Sequence, residues 1–359
     1  MWNSSKFSQR LGLKYPIVQA PMILQKPLLP LASAVCNAGG LGSLGCAEMS
    51  PAALNQRITE MKQLTDKPFN LNFFLHDQPR FDPELDKQAR ALVAPFYQKL
   101  GLDLPADASK TEAETFDTTK LDLLLEKAPA MVSFHFGCPN PSFVSKLQSA
   151  GIVVAATATT VTEAIALELS GVDVVVAQGW EAGGHRGSFD SDYEDVGIGT
   201  LALVPQIRDA VSCFVVASGG IADGRGIVAC RALGADAVWM GTAFLTCAET
   251  PITDVHYNAL MTARDDDTHL SRAFSGRPCR ARRTPYSNQL GQGRPELPAF
   301  PLMYNYSSPI KRHGIAEDDL KHQFLLYGQA AAMNKEGTAE QLIETLMKEA
   351  QHLAGGLAT

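Results

Sequence analysis

Eight short apolar segments recur along this chain of 359 residues, and segments with a helical pattern separate them. Residues 151–157 and 172–179 are apolar almost throughout, which is typical of strands that are buried on both faces of a parallel sheet. Some of the helical segments start at capping residues, as at Ser50, and stop at glycines, as at Gly171. This alternation predicts an α/β protein, and eight strands favour a closed (β/α)8 barrel. The predicted strands are 16–22, 41–45, 68–74, 131–137, 151–157, 172–179, 213–220 and 235–242.

Two longer stretches interrupt the strand–helix repeat. Residues 75–130 are too long for one helix and predict a helical excursion between the third and fourth strands. Residues 246–321 contain few strong apolar periods and a proline-rich part, so they predict a cap inserted after strand eight. We expect a barrel of residues 1–245 and 322–359, with a terminal helix near 339–353 that completes it, and a smaller substrate-covering cap of residues 246–321.

Composition narrows the functional class. Apolar residues make up 45% of the chain and charged residues 19%, which is ordinary for a globular enzyme, and the net charge of -7 disfavours a nucleic-acid partner. The sequence has no apolar run long enough to span a membrane and no apolar signal-peptide core near its start. Its seven cysteines are scattered without a CxxC pair, which argues against a disulfide framework and a metal site. We expect a cytoplasmic monomer or homodimer that binds small molecules and no metal.

The carboxyl ends of the strands are where a barrel of this kind places its active site. Strand six ends at Gln178 and leads into Gly183-Gly184-His185, a loop in which little side-chain bulk surrounds the histidine. Since histidine exchanges a proton near neutral pH, we predict a catalytic or substrate-orienting role for His185. His135, at the end of the fourth strand, is a second candidate for the same opening.

Glycines at the ends of strands seven and eight predict a phosphate site. Gly219-Gly220 and Gly241-Thr242 expose backbone N–H groups near helix starts, where an anion is favoured. The amides of Asn72 and Gln178 can both donate to and accept from the edge of a heterocycle. Met22 is suited to pack beneath a planar ring. Tight turns, structural amides and ordinary core packing are the alternative interpretations of these residues.

Several motifs together resemble those of the FMN-dependent nitronate monooxygenases, formerly called 2-nitropropane dioxygenases. The glycine pairs and the loop around His185 also resemble those of sister flavin reductases. His135 in its Ser-Phe-His-Phe-Gly setting, together with the late segments, is similar to the class I members. The matching segments are 19–22, 38–42, 72–74, 132–137, 177–187, 217–222, 240–242, 296–304, Lys311 and 326–330.

The resemblance implies oxidation of small alkyl nitronates, such as propionate 3-nitronate, by O2 to a carbonyl compound and nitrite, with FMN as cofactor. It implies that His185 is the catalytic histidine and that His135, Tyr304 and Lys311 lie near the substrate. The residues that it implies for FMN are Met22, Asn72, Gln178, Gly183, Gly220, Trp239, Met240, Gly241 and Thr242.

The chain departs from the family pattern at Ile23-Leu24-Gln25, where the family commonly has small residues, and we expect these side chains to narrow the site. Tyr304 and Tyr306 are both candidates to face the substrate. Alternative functions are an FMN-dependent NAD(P)H:quinone or enoyl-thioester reductase on the same barrel, a non-redox FMN isomerase, and a flavin-free binding protein.

Overall fold

The computed structural model describes residues 4–189, 196–293 and 295–357. Eight of its strands form one parallel sheet, and three short strands form a second, antiparallel sheet. The strands are β1 Ile17–Gln19, β2 Gly42–Gly45, β3 Phe69–Phe74, β4 Met131–His135, β5 Val153–Ala158, β6 Val174–Gln178, β7 Gly184–His185, β8 Phe214–Ser218, β9 Ala237–Met240, β10 Thr268–Ser271 and β11 Cys279–Arg282.

The large sheet closes on itself into a barrel. Its strand order is β1-β9-β8-β6-β5-β4-β3-β2, so β1 and β2 are the two ends of the sheet. These ends are joined by backbone hydrogen bonds, in which Gln19 N donates to Leu41 O and Leu41 N donates to Ile17 O, both at 2.9 Å. The predicted (β/α)8 barrel is therefore confirmed, and each of its eight strands overlaps a predicted segment.

Helices surround the barrel, and several begin where the sequence predicts. Ser50 accepts a hydrogen bond from Ala53 N at the start of α3, and Thr160 does the same for Glu163 N at the start of α7. The helices are α1 Lys6–Arg10, α2 Leu29–Asn37, α3 Pro51–Leu64, α4 Pro83–Leu100, α5 Thr118–Lys127, α6 Pro141–Ser149, α7 Val161–Leu169, α8 Thr200–Ala210, α9 Gly224–Ala232, α10 Asp254–Met261, α11 Pro285–Gly291, α12 Tyr304–Ala316 and α13 Ala339–Leu357. The terminal helix α13 packs against α9 and α2, the position of the eighth barrel helix.

Apolar side chains from alternate strand positions fill the barrel interior. Phe7 of α1 is fully buried there, with its ring centroid 6.0 Å from that of Phe214 at the start of β8. The amino-terminal side of the barrel is thus packed by side chains, which leaves the carboxyl ends of the strands for a ligand site.

A second apolar cluster lies outside the barrel and joins α4 to α11 and α12. Its fully buried members include Val93 of α4, Tyr286 of α11 and Ile310 of α12. In the small sheet, β11 pairs with β10 on one side and with β7, which lies in the loop that follows β6, on the other. The sequence indicated none of these three strands, and the predicted limits of the cap at 246 and 321 stay a prediction.

Candidate active site

A cavity of about 730 Å³ opens at the carboxyl ends of the barrel strands. This volume lies within the range of about 300–1,000 Å³ that is usual for small-molecule and cofactor sites. All the candidate site residues predicted from the sequence except Tyr306 line this one cavity. These residues are Met22, Asn72, His135, Gln178, Gly183, His185, Gly220, Trp239, Met240, Gly241, Thr242, Tyr304 and Lys311.

Hydrogen bonds to both the backbone and the side chain of His185 hold it in place. Its backbone pairs with Cys279 of β11, and its Nε2 lies 2.8 Å from Ser275 Oγ. Its carbonyl oxygen accepts hydrogen bonds from Gln178 Nε2 at 2.9 Å and from His135 Nε2 at 3.1 Å. Because a carbonyl only accepts, the proton of neutral His135 is on Nε2, and Nδ1 is left as an acceptor.

Both site histidines are uncharged at neutral pH. Burial, together with the nearby His135 and Arg277, lowers the pKa of His185 to about 3. Burial, together with Arg277 and Arg186, likewise lowers the pKa of His135 to about 3, against the opposing effect of its hydrogen bond to the His185 carbonyl. A neutral imidazole presents a lone pair and an N–H group to the cavity, but no positive charge.

Aromatic rings enclose His185. The ring centroids of Phe136 and Phe300 lie 5.6 Å and 5.8 Å from that of His185, and that of Phe74 lies at 6.3 Å. Phe136 has a φ of 73°, which is a strained conformation for a bulky residue, and the Arg277 guanidinium lies 4.1 Å from its ring centroid. These apolar walls account for the desolvation of the imidazole.

The two strand-end amides have different partners. Asn72 donates from Nδ2 to Ser133 Oγ at 2.9 Å, and no donor among the described residues contacts its Oδ1. Gln178 uses its oxygen to accept from Gly187 N at 2.8 Å and its nitrogen to donate to the His185 carbonyl. Asn72 therefore keeps a free acceptor in the cavity lining, whereas Gln178 mainly fastens the loop that carries His185.

The glycine loops after β8 and β9 present free backbone donors. Within the described parts of the chain, the N–H groups of Gly220, Gly241 and Thr242 donate to no protein acceptor. The hydroxyl of Thr242 accepts from Gly328 N at 2.9 Å, so the segment after α12 braces this side of the cavity. Free N–H groups at the ends of neighbouring strands are suited to bind an anion.

One face of α12 forms part of the cavity wall. Tyr304 and Lys311, seven residues apart, lie on the same face of this helix and both line the cavity. Tyr306 is fully buried in the second apolar cluster and donates its hydroxyl proton to Asp86. Of the two candidate tyrosines, Tyr304 is thus the one that reaches the cavity.

Sequence comparison agrees with this geometry. A sequence profile of the family described as "Nitronate monooxygenase" matches residues 4–349. The chain belongs to the nitronate monooxygenase family. It is 40% identical over 349 residues to the nitronate monooxygenase of Pseudomonas aeruginosa, an alignment that covers 96% of this chain and 99% of that relative. The resemblance inferred from the motifs is confirmed, and the protein is an enzyme of this family.

Two solved structures are similar to this nitronate monooxygenase family member. The structure described as nitroalkane oxidase from Streptomyces ansochromogenes superposes with a TM-score of 0.90 at 35% identity, covering 98% of this chain and 99% of that one. The structure of FabK from Thermotoga maritima superposes with a TM-score of 0.76 at 28% identity, covering 99% and 98%. The oxidation of nitronates is the activity that the family supports for this chain.

Several residues of this nitronate monooxygenase site were missed by sequence reasoning. Ser275 and Phe300 lie in the segment with the weakest pattern, 90 and 115 positions after His185, and no spacing rule connects them to it. Phe136 and Phe300 were included only as members of the matching segments 132–137 and 296–304, without a role. Glu48 and His256 also line the cavity.

The departure at Ile23-Leu24-Gln25 does affect the site, because all three residues line the cavity. The side chain of Ile23 packs so close to Gly45 that a β-carbon at that glycine would lie 2.6 Å from Ile23 Cγ1.

Over residues 4–189, 196–293 and 295–357, no cluster of three potential ligands is placed to hold a metal, and no helix is long and apolar enough to cross a membrane.

Proposed function

We propose that this protein binds FMN and oxidises alkyl nitronates, such as propionate 3-nitronate, by O2 to a carbonyl compound and nitrite. The family is flavin-dependent in general. The observation that carries the proposal is the arrangement of a neutral histidine, His185, and a cationic side chain, Lys311, on the walls of one cavity. A cytoplasmic location and a monomeric or dimeric state remain predictions.

The donor set of the cavity fits FMN. The free N–H groups of Gly220, Gly241 and Thr242 suit its phosphate, because they supply donors without a bound counter-charge. The free Oδ1 of Asn72 suits an N–H group at the edge of the isoalloxazine ring. Met22 and Trp239 line the same cavity and offer apolar surface to a planar ring.

The cofactor would supply the redox chemistry, and the protein residues would position and charge the substrate. Lys311 attracts an anion: burial lowers its pKa, while the neighbouring Glu48 opposes this and favours its charged form. His185 orients the substrate through the nitrogen that Ser275 leaves free. For a neutral nitroalkane, His185 would also accept the α-proton, but a base with a pKa near 3 does so slowly. We therefore expect nitronates to be better substrates than the corresponding nitroalkanes.

The test begins with the purified protein. We expect it to be yellow, to release FMN on heating, and to consume O2 and form nitrite with propyl-1-nitronate. The reductase alternative predicts instead that NADPH bleaches the flavin rapidly and that no nitrite appears, and this result would overturn the proposal. A colourless protein that takes up no FMN would refute the cofactor assignment.

A matched pair of variants tests the role of His185. His185→Asn should retain FMN and lose turnover, with the larger loss for 1-nitropropane than for its nitronate, because only the nitroalkane needs a base. His269→Asn is the control, because His269 Nε2 also lies 2.8 Å from a serine, Ser287 Oγ, but His269 does not line the cavity. Equal turnover by His185→Asn and the control would remove His185 from the mechanism.

A further inference from the structure

Ser275 is the hydrogen-bond partner of the His185 ring, yet it does not itself line the cavity. Its Oγ lies 2.8 Å from His185 Nε2, and the residue is fully buried. The other ring nitrogen of His185, Nδ1, has no partner among the described residues. Because His185 lines the cavity, Nδ1 is the nitrogen that a bound ligand meets, and Ser275 acts on that ligand only through the imidazole ring.

A tight turn fixes the position of the Ser275 hydroxyl oxygen. Arg277 N donates to Ser275 Oγ at 3.3 Å, and Gly276 between them has a φ of 87°, a conformation that favours glycine. A β-carbon at Gly276 would collide with Pro298 O, so the turn packs directly on a neighbouring backbone segment. The oxygen is thus held in one place relative to His185, and only its proton is free to change direction.

The hydroxyl proton of Ser275 can point to two acceptors. These are Arg277 O, 3.3 Å from Oγ, and His185 Nε2 at 2.8 Å. A hydroxyl group has one proton and two lone pairs, and Arg277 N occupies one lone pair. When the proton points to Arg277 O, the second lone pair accepts from an Nε2–H group, and Nδ1 of His185 is left with a lone pair. When the proton points to Nε2, Nδ1 carries the ring proton instead.

The partner of the other site histidine permits no such change. His135 Nε2 lies 3.1 Å from the His185 carbonyl oxygen, which only accepts, so His135 keeps its proton on Nε2. A hydroxyl group both donates and accepts. Of the two site histidines, His185 is therefore the one whose Nδ1 can serve either as an acceptor or as a donor.

We propose that Ser275 is a positioning residue that lets His185 act on two protonation states of the substrate, as a base toward a neutral nitroalkane and as an N–H donor toward a nitronate. This inference rests on the proposed function, since it assumes that these are the bound molecules. In the ligand-free protein the Nε2–H form of His185 is favoured, because only this form uses the hydroxyl proton, both lone pairs of Ser275 Oγ and the Arg277 carbonyl oxygen together.

The two substrates use the hydroxyl group differently. With a nitroalkane, the α C–H bond breaks and an N–H bond forms at Nδ1 of His185, while the electron pair of the C–H bond stays on the substrate, which becomes the nitronate. The imidazolium then donates from Nε2 to Ser275 Oγ, and this hydrogen bond strengthens as the charge develops on the ring. With a nitronate no proton is transferred: the Ser275 proton points to Nε2, and Nδ1–H donates to a nitronate oxygen.

Turnover of 1-nitropropane and of propyl-1-nitronate by the holoenzyme provides the test. In Ser275→Ala we expect kcat/KM for 1-nitropropane to fall roughly 10- to 100-fold, because the imidazolium loses its acceptor. The value for the nitronate should fall less than about fivefold, because the ring stays neutral. Ser275→Thr keeps a hydroxyl group and should retain the wild-type ratio of the two values. An equal fall for both substrates in Ser275→Ala, or a wild type that oxidises the nitronate but not 1-nitropropane, would overturn the proposal.

Ser287→Ala is the matched control. Ser287 is also fully buried, its Oγ also lies 2.8 Å from a histidine nitrogen, His269 Nε2, and neither residue lines the cavity. The control should leave the ratio of 1-nitropropane to nitronate turnover unchanged. A change of this ratio as large as that in Ser275→Ala would show that the loss of any buried serine hydroxyl has the effect, and the role of Ser275 would be refuted.

A second measurement requires no turnover. Nitrogen NMR of the purified protein, labelled in its histidine rings, reports which nitrogen carries the proton, and the His185 signals are those missing from His185→Asn. We expect the Nε2–H form in the wild type and a mixture of both forms in Ser275→Ala. The same form in both proteins would overturn the proposal, even where Ser275→Thr does not fold. If neither substrate is oxidised, the proposed function is wrong, and this spectrum still decides whether Ser275 sets the proton position on His185.

Discussion

The carboxylate of Glu163 fastens the loop that follows His185, and its replacement by glutamine should be strongly destabilising. Glu163 is fully buried near the start of α7. Its Oε1 accepts from Ser188 Oγ at 2.7 Å and Phe189 N at 2.6 Å, and its Oε2 accepts from Thr159 N at 2.6 Å and Thr159 Oγ1 at 2.7 Å. Each oxygen thus serves one backbone N–H group and one hydroxyl group.

The expected magnitude follows from this arrangement. In Glu163→Gln, one oxygen becomes an NH2 group that faces a backbone N–H, whichever way the amide is turned. A hydroxyl can rotate to accept from the new NH2, but the N–H group cannot. At least one hydrogen bond to a charged group is lost and its buried donor is left without a partner, which costs about 1.5–3 kcal/mol. The remaining hydrogen bonds are weaker because their acceptor is no longer charged, so we expect the free energy of unfolding to fall by about 2–4 kcal/mol.

Equilibrium urea unfolding followed by tryptophan fluorescence measures this loss. Glu168→Gln on the same helix is the matched control, because Glu168 accepts from Ser212 N and Cys213 N through Oε1 alone. A glutamine at 168 keeps that oxygen, so we expect a loss of less than about 1 kcal/mol. Faster amide exchange at residues 186–189 in Glu163→Gln would locate the effect. Equal stabilities of the two variants would refute the reasoning.

Two further predictions concern a close backbone contact and the buried histidines. In Gly183→Ala the new β-carbon would lie 2.5 Å from Gly328 N, so the segment at 326–330 must shift. We expect the free energy of unfolding to fall by about 1–3 kcal/mol and the FMN content to be lower. Gly355→Ala is the control and should show neither effect, because no atom lies within 4 Å of its new β-carbon. Retained stability and FMN in Gly183→Ala would contradict this close approach of the two backbones. The native pKa of His185 is about 3, below the unfolded value near 6.5, so the unfolded state binds the proton first and stability falls as pH decreases through this window. Between pH 7 and pH 5 this histidine should account for up to about 2 kcal/mol of the fall, and His185→Asn should show a correspondingly smaller fall; an identical pH dependence would show that the imidazole is not desolvated.

Most of the barrel could be predicted from the sequence because its strands are local features. The run Val174–Gln178 is nearly all apolar, so it indicates a strand buried on both faces without reference to any distant residue. A helix start such as that at Ser50 is indicated by the capping side chain at that position. The short strands β7, β10 and β11 could not be predicted in this way. They have only two to four residues each, and the pairing of β7 with β11 depends on a contact between segments about 95 residues apart.

The candidate site shows the same division. His185, Asn72 and the glycine pairs lie at strand ends, so the barrel topology alone brings them to one rim. The partners of these residues come from the segments without periodicity, as Ser275 and Phe300 do for His185. Gln178 illustrates the limit: its position was predictable, but its hydrogen bonds to His185 and Gly187 became evident only from the folded loop.

The sequence by itself determined the barrel, the family and the residues at the carboxyl ends of the strands, because hydrophobic periodicity, caps and motifs are properties of neighbouring positions. Only the tertiary structure decided which of Tyr304 and Tyr306 reaches the cavity, that His185 is desolvated, and that Glu48 and Lys311 line the same cavity. Burial and electrostatic coupling depend on distances in space between residues that are far apart in the chain. No spacing along the sequence encodes those distances.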